Sequence, residues 1–351
     1  MKEGWTLKTL GDVCISKSSN VSQNKLANED GDFPIYGASG MIKKVSFYHR
    51  DKPYLSIVKD GSGFGRVTKM EAFTSVIGTL QYILPKEDVD IAYLHYALMS
   101  VDFKKYVAGA AIPHIYFKDY RNEPFLWVPL PEQQRIVSII DKAFEAIDKA
   151  IENTQKNLQN VKELFESYLN GVFEKGGEDW EEKKWGDVLQ IISGRNQNEV
   201  IDPKGEYPIL GSAGKVMGYA NQYLCEANTT IIGRKGTINK PLFIEEPFWN
   251  VDTAFGLNAG PTLNKRYLYY FCCSYDFTKE DKGSGRPSLV KSDLLKILIP
   301  IPPLPEQQRI VSQLDILKNK TQKIEDFFQH KLHDLEELKK SILNKAFAGE
   351  L

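Results

Sequence analysis

The nonapeptide PLPEQQRIV occupies residues 129–137, and the same nine letters return at 303–311. A nine-residue identity at a spacing of 174 lies far beyond chance, so the chain is read first as a repeat. Shifting by 174 lays FPIYGASG (33–40) on YPILGSAG (207–214), Tyr93-Leu94 on Tyr267-Leu268, and GAAIPHIYFKD (109–119) on GSGRPSLVKSD (283–293). Leu169-Asn170 falls on Leu343-Asn344 in the same register, while Trp5 and Gly11-Asp12-Val13 meet Trp180 and Gly186-Asp187-Val188 at an offset of 175. One unit of about 174 residues has been duplicated, which excludes a short-period solenoid.

Each unit changes texture at the nonapeptide. The stretches before it, residues 1–128 and 176–302, are rich in Gly, aromatics and short β-like runs such as Tyr54–Val58 and Thr229–Ile232, with one helical stretch near 91–106 and its copy near 265–278. They read as compact α+β heads. From the nonapeptide onward, residues 129–175 and 303–351 read as long helices: Pro131 suits a first turn, where its missing N–H costs nothing, and Glu132 sets negative charge at the positive end of the helix dipole.

Val137, Ile140, Phe144, Ile147, Ile151, Thr154, Leu158, Val161, Phe165, Tyr168 and Val172 follow alternating steps of three and four, the pattern of a coiled-coil seam, and Gly176-Gly177 ends it. The second copy is noisier. Val311, Leu314, Thr321, Phe328, Leu332, Leu335, Ile342 and Ala346 hold the phase, but Lys318, Glu325 and Lys339 break it while Leu317, Ile324, Phe327 and Leu338 sit one position earlier, so the stripe is expected to drift. A helix of roughly 42 residues spans about 63 Å and is too amphipathic to stay unpaired. The expected architecture is two heads joined by two long antiparallel helices, a pseudo-twofold device that engages two sites at a fixed separation.

Composition narrows the function. With 45 Lys+Arg against 46 Asp+Glu the chain is neither a basic coat nor an acidic mimic, and each head is close to charge balance. No run of 18 apolar residues and no signal-peptide core appear, so a cytoplasmic protein without membrane contact is expected. Cys14, Cys225, Cys272 and Cys273 form no CxxC pair and read as buried reduced thiols. There is no GxxxxGK[ST], GxGxxG, HExxH or GxSxG motif, and hence no candidate catalytic residue. His330 and His333, three apart on the second long helix, have no third ligand nearby and read as a solvated face rather than a metal site.

Two basic, glycine-rich loops follow β-like runs at matching places: Lys59-Asp60-Gly61-Ser62-Gly63-Phe64-Gly65-Arg66, and Gly233-Arg234-Lys235-Gly236-Thr237-Ile238-Asn239-Lys240. Glycine lets backbone approach a polyanion, and Lys and Arg neutralise phosphates or, for Arg, grip guanine edges. The bland reading is a tight turn with solvated charges. Candidate base-reading residues are Lys59, Ser62, Arg66, Arg234, Lys235, Thr237 and Asn239; Lys43, Lys44, Lys215 and Lys240 are candidate phosphate contacts. Gln133, Gln134, Arg135, Gln307, Gln308 and Arg309 are identical in both copies where head meets helix, and either cap that joint or touch a partner.

The doubled PLPEQQRIV opening a long helix, preceded by a variable head with a W…LGDV-like segment and GRKGT, closely resembles the DNA specificity (HsdS) subunit of type I restriction-modification systems over essentially the full chain. The resemblance implies that each head is a target recognition domain reading one half of a bipartite, asymmetric double-stranded DNA target. It implies two modification (HsdM) subunits supplying S-adenosylmethionine chemistry on a flipped adenine, and two restriction (HsdR) subunits using ATP and Mg. The chain itself would be non-catalytic. The competing reading is a two-headed coiled-coil scaffold tying together two identical protein partners without DNA specificity.

Overall fold

In the computed structural model, residues 4–109 and 112–351 are described. The first head builds a four-stranded antiparallel sheet in the order Cys14–Ser18, Leu80–Pro85, Tyr54–Val58, Val67–Met70. Beside it a three-stranded sheet runs Gly40–Val45, Phe33–Gly37, Ser75–Val76, the last pair parallel, and Thr6–Thr9 pairs with Pro124–Trp127. The second head repeats this connectivity strand for strand: Leu189–Ser193, Ala254–Ala259, Thr229–Gly233, Leu242–Ile244; then Val216–Ala220, Tyr207–Leu210, Trp249–Asn250; then Glu181–Lys184 with Leu298–Ile301. The duplication is therefore one of topology as well as of letters.

Strand composition explains the layering. Tyr54–Val58 and Thr229–Gly233, both central strands, are buried along their whole length, as strands covered on two faces should be. The helix Ile91–Met99 covers one head and Lys265–Ser274 the other, each capped by a side chain three residues before its first buried tyrosine: Asp90 accepts from the backbone of Ala92 and Tyr93, Asn264 from that of Arg266 and Tyr267. The tyrosine hydroxyls then tie each helix to its surroundings at equivalent atoms. Tyr93 Oη donates to the Leu126 carbonyl and Tyr267 Oη to that of Pro300, both at 2.8 Å.

The long helices run unbroken over Leu130–Lys175 and Leu304–Ala348. Each ends at a glycine in the left-handed region, Gly176 at φ +58° and Gly349 at φ +83°, the usual way to terminate a helix. The compact units cut across both helices: one comprises Met1–Gln155 with His330–Leu351, the other Lys156–Gln329. Within the first, Ile136 and Ile140 share a core with Leu343 and Ala346, and the Lys339 ammonium reaches Asp148 while lying 5.3 Å from the Phe144 ring centre. Within the second, Phe165, Leu169, Val172 and Phe173 pack with Ile310, Val311 and Leu314. In each unit the paired segments are antiparallel and continuous with the core of the head.

The seam departs from its expected form at two places. Leu169 is buried at 2% exposure where Tyr168 was expected, and Tyr168 faces out at 43%. The second helix does not drift: Lys318, Glu325 and Lys339 occupy the seam half-buried, while Ile324, Phe327 and Leu338 are exposed. The long Lys stems explain this. Lys318 buries its methylenes, donates to Tyr269 Oη at 2.9 Å and lies 4.8 Å from that ring centre, so a cation does the work of an apolar side chain.

In the first unit Trp5 and Gly349 stand side by side. A Cβ on Gly349 would lie 3.0 Å from the Trp5 ring, and Arg135 donates to the Leu351 backbone at 3.2 Å. A Cβ on Gly176 would lie 3.9 Å from the Trp180 ring in the matching place of the second unit.

Candidate nucleic-acid interface

Each basic loop links a buried central strand to the exposed edge strand of its sheet, Tyr54–Val58 to Val67–Met70 and Thr229–Gly233 to Leu242–Ile244. A second loop is laced to each by the same backbone bonds. Gly61 N–H donates to Pro113 O at 3.0 Å and Ile115 N–H to Lys59 O at 2.9 Å; in the other head Gly236 N–H donates to Pro287 O and Leu289 N–H to Arg234 O, both at 2.8 Å. Composition marks only the basic loop of each pair as a polyanion-binding candidate. The partner loop was visible as the Gly/Pro-containing stretch 109–119 lying over 283–293, but its position beside the basic loop is set by tertiary structure.

The side chains presented on this shared frame differ. In the first head Lys59 stands 3.9 Å from the Asp60 carboxylate, which also meets His114 Nδ1 at 2.7 Å. The positive charge of this edge is thus partly neutralised. Ser62 is exposed at the loop tip, and Arg66 donates to the Ala38 carbonyl, tying the loop to the 37–40 turn. In the second head Lys235 and Ser288 take the places of Asp60 and His114. Arg234 is held by the Asp252 carbonyl at 3.3 Å, with its guanidinium 5.6 Å from the Phe255 ring centre, while Lys235, Thr237 and Lys240 are exposed.

Two candidates turn out to hold the scaffold. Asn239 donates from Nδ2 to Asp276 Oδ1 at 2.8 Å and accepts the Phe277 N–H at 2.7 Å, so both ends of its amide pin the 3-10 turn Phe277–Glu280. Lys43 is half-buried and donates to the backbone carbonyls of Leu26 and Glu29. Lys44 and Lys215 are exposed and stay available to a polyanion.

The loop frames are stiffened by carboxylates. Asp281 accepts from the backbone N–H groups of Ser288 and Gly283, both at 2.8 Å, and these bonds hold its pKa below the usual carboxylate value. Asp276 is lowered likewise by hydrogen bonds from the Thr278 hydroxyl and Asn239.

At the joint the alternatives separate residue by residue. Gln133 is fully buried, its amide donating to the carbonyls of Asp88 (2.9 Å) and Val128 (2.8 Å) and accepting the Asp90 N–H (2.8 Å). Gln307 repeats this with Thr262 (3.0 Å), Pro302 (2.8 Å) and Asn264 (2.7 Å). Both are caps, inaccessible to a partner. Gln134 and Gln308 are exposed, and Arg135 and Arg309 form i,i+3 ion pairs with Glu132 and Glu306 on the helix surface.

Cys14, Cys225 and Cys272 are buried free thiols and Cys273 is half-buried. His330 and His333 are exposed, and among the described residues no set of three His, Cys, Asp or Glu side chains is placed to hold a metal ion. Among the described residues no helix is long and apolar enough to cross a membrane.

Comparison with known proteins finds the same repeat. The model of the type I restriction modification DNA specificity domain matches twice, over residues 2–161 and 177–332. The type I restriction enzyme MjaVIII specificity subunit of Methanocaldococcus jannaschii is 28% identical over 339 residues, covering 83% of this chain and 77% of that one. A chain from structural work on complex assembly and conformational transition of the type I R-M system superposes with a TM-score of 0.82 at 17% identity, covering 100% and 99% of the two chains. The HsdS subunit from Thermoanaerobacter tengcongensis superposes at 0.59 and 18%, covering 100% and 98%. At such identities the structural likeness is one of fold.

Proposed function

This chain belongs to the type I restriction modification DNA specificity family, and we propose that its two heads read the two different halves of one asymmetric DNA target. The observation that carries the reading is the loop edge: the two backbone bonds that lace the loops together recur in both heads, while the residues presented there differ, Asp60 and His114 against Lys235 and Ser288. A frame that is kept and a face that varies is what two readers with different sequences require. Lys59, Ser62 and Arg66 serve the first half-site and Arg234, Lys235 and Thr237 the second, with Lys44, Lys215 and Lys240 on phosphates.

The two unbroken helices set the distance between half-sites, and their outward faces receive two modification (HsdM) subunits. The apolar groove of the second unit, lined by Leu164 and Tyr168 of one long helix and Ile316 and Leu317 of the other, supports this, because Leu164, Tyr168 and Ile316 are large apolar side chains left exposed there. Methyl transfer from S-adenosylmethionine, and ATP- and Mg-dependent steps by two restriction (HsdR) subunits, belong to those partners, in the cytoplasm. With heads so near charge balance, the counterion contribution of this chain alone is small, and tight binding draws on the assembled complex.

The test is binding of the chain with its modification subunit to duplexes of varied sequence. Arg234→Ala should weaken or relax recognition of the second half-site by about 1–3 kcal/mol and leave the first unchanged. Equal damage to both halves refutes independent heads, and absence of any sequence preference refutes DNA reading.

A further inference from the structure

We propose that Arg286 reads a base in the second half-site, a guanine edge gripped by its guanidinium, and that it does so from the partner loop rather than from the basic loop; this rests on the DNA-reading function above. Arg286 is exposed, and among the described residues its side chain makes no ion pair or hydrogen bond. A free guanidinium on a surface loop is ordinarily mobile. Here three features fix where it stands.

The first is Gly236, at φ +84° in the basic loop. A Cβ placed there would lie 2.9 Å from Nη2 and 3.1 Å from Nε of Arg286, so the guanidinium rests against a position of that loop with no side chain. The second is the carboxylate of Asp281, which closes the 281–288 loop by accepting two backbone N–H groups. The third is the Gly236 N–H to Pro287 O bond, which clamps the residue after Arg286 to the basic loop. The loop backbone that carries Arg286 is thus held in place beside the basic loop, its guanidinium is left unpaired there among the described residues, and its fork matches the O6 and N7 acceptors of guanine.

The first head supplies the contrast. The residue at the matching position of its partner loop is Ile112, 56% exposed, next to a proline whose carbonyl accepts from the basic-loop glycine as in the second head. An isoleucine cannot donate to guanine, so the same place in the two heads selects different bases.

The experiment uses the full chain with its modification subunit and compares wild type, Arg286→Ala and Arg286→Lys by genome-wide mapping of methylated adenines and by competition binding across single-base variants of the target at two salt concentrations. Lysine keeps the charge and loses the fork. The expected result is that both variants lose discrimination at one G·C pair of the second half-site, by about tenfold to a hundredfold, with the first half-site untouched and the salt dependence of Arg286→Lys equal to wild type. Uniform weakening by Arg286→Ala over all sequences, with full discrimination kept by Arg286→Lys, makes Arg286 a phosphate contact and overturns the inference. A wild-type complex without sequence preference overturns the DNA-reading function itself, and the inference with it.

Discussion

Replacing Gln133 by alanine should cost the first unit about 3–5 kcal/mol. The amide makes three hydrogen bonds in a site with no exposure, two donated to carbonyls and one accepted from the Asp90 N–H that opens the head helix. A buried hydrogen bond contributes about 1 kcal/mol net, and a buried group left without a partner costs about 1–3 kcal/mol. Three lost bonds therefore set a floor of about 3 kcal/mol, and the void left by the amide raises it. Gln307→Ala should cost the same within error in the second unit, because its three partners are the same three atoms one repeat later. Gln134→Ala and Gln308→Ala, on exposed side chains, should stay within about 0.5 kcal/mol.

Urea unfolding followed by circular dichroism gives the magnitude, and hydrogen–deuterium exchange assigns it: amides of residues 88–98 should lose protection in Gln133→Ala and those of 262–272 in Gln307→Ala. Gln133→Glu sharpens the test because it is isosteric. It turns a donor toward the carbonyls of Asp88 and Val128 into an acceptor, so the protonated acid is the favoured folded form and its pKa rises on folding. The stability of this variant should then be greatest below the unfolded carboxyl value near 4.3 and fall as pH rises through the folded one. A Gln133→Ala protein as stable as wild type but unable to bind the modification subunit would refute the cap and make the residue a docking contact.

On the second helix, Lys318→Ala should destabilise the second unit by about 1–2 kcal/mol through loss of the tyrosine contacts, while Phe327→Ser, on a residue 61% exposed, should change urea stability by less than about 0.5 kcal/mol. Burial pushes Cys14 and Cys225 up to about 12 and raises Cys272 and Cys273; the native chain should therefore resist thiol reagents at pH 8 and release four reactive thiols only in denaturant. Because the protonated thiols are the favoured folded forms, their contribution to stability is intact below the unfolded value near 8.5 and falls as pH rises above it, which an alkaline titration of the urea midpoint checks. A permutant opened at Gly176-Gly177 with residue 351 linked to residue 1 should fold with wild-type dichroism, since Gly349 already meets Trp5 as Gly176 meets Trp180; a molten product would refute the equivalence. Inserting one heptad into both long helices keeps the seam in phase and adds about 10 Å, so the preferred spacer should lengthen by about three base pairs, and an unchanged spacer refutes the ruler.

What the sequence disclosed depends on the range of the interaction that decides each residue. The two-part unit, the central strands, the head helices and the helix starts were legible because they are set by period, caps and a repeat that compares the chain with itself. The seam of the second helix was misjudged because hydropathy ranks Lys318 below Phe327, whereas the structure asks only that a methylene stem cover the seam and that the ammonium find a tyrosine. Asn239 and Lys43 look like ligands for a polyanion in one dimension; their partners, Asp276 and Phe277 in one case and the backbone of Leu26 and Glu29 in the other, lie 37, 38, 17 and 14 residues away. The same limit hid Arg286, which precedes a proline some 50 residues beyond the basic loop and gains its place only when Gly236 is beneath it. A repeat offers a way past that limit: where both copies keep a backbone bond, as from Gly61 to Pro113 and from Gly236 to Pro287, the frame is common, and any residue that differs on it, Ile112 or Arg286, is a candidate for what the two heads do differently.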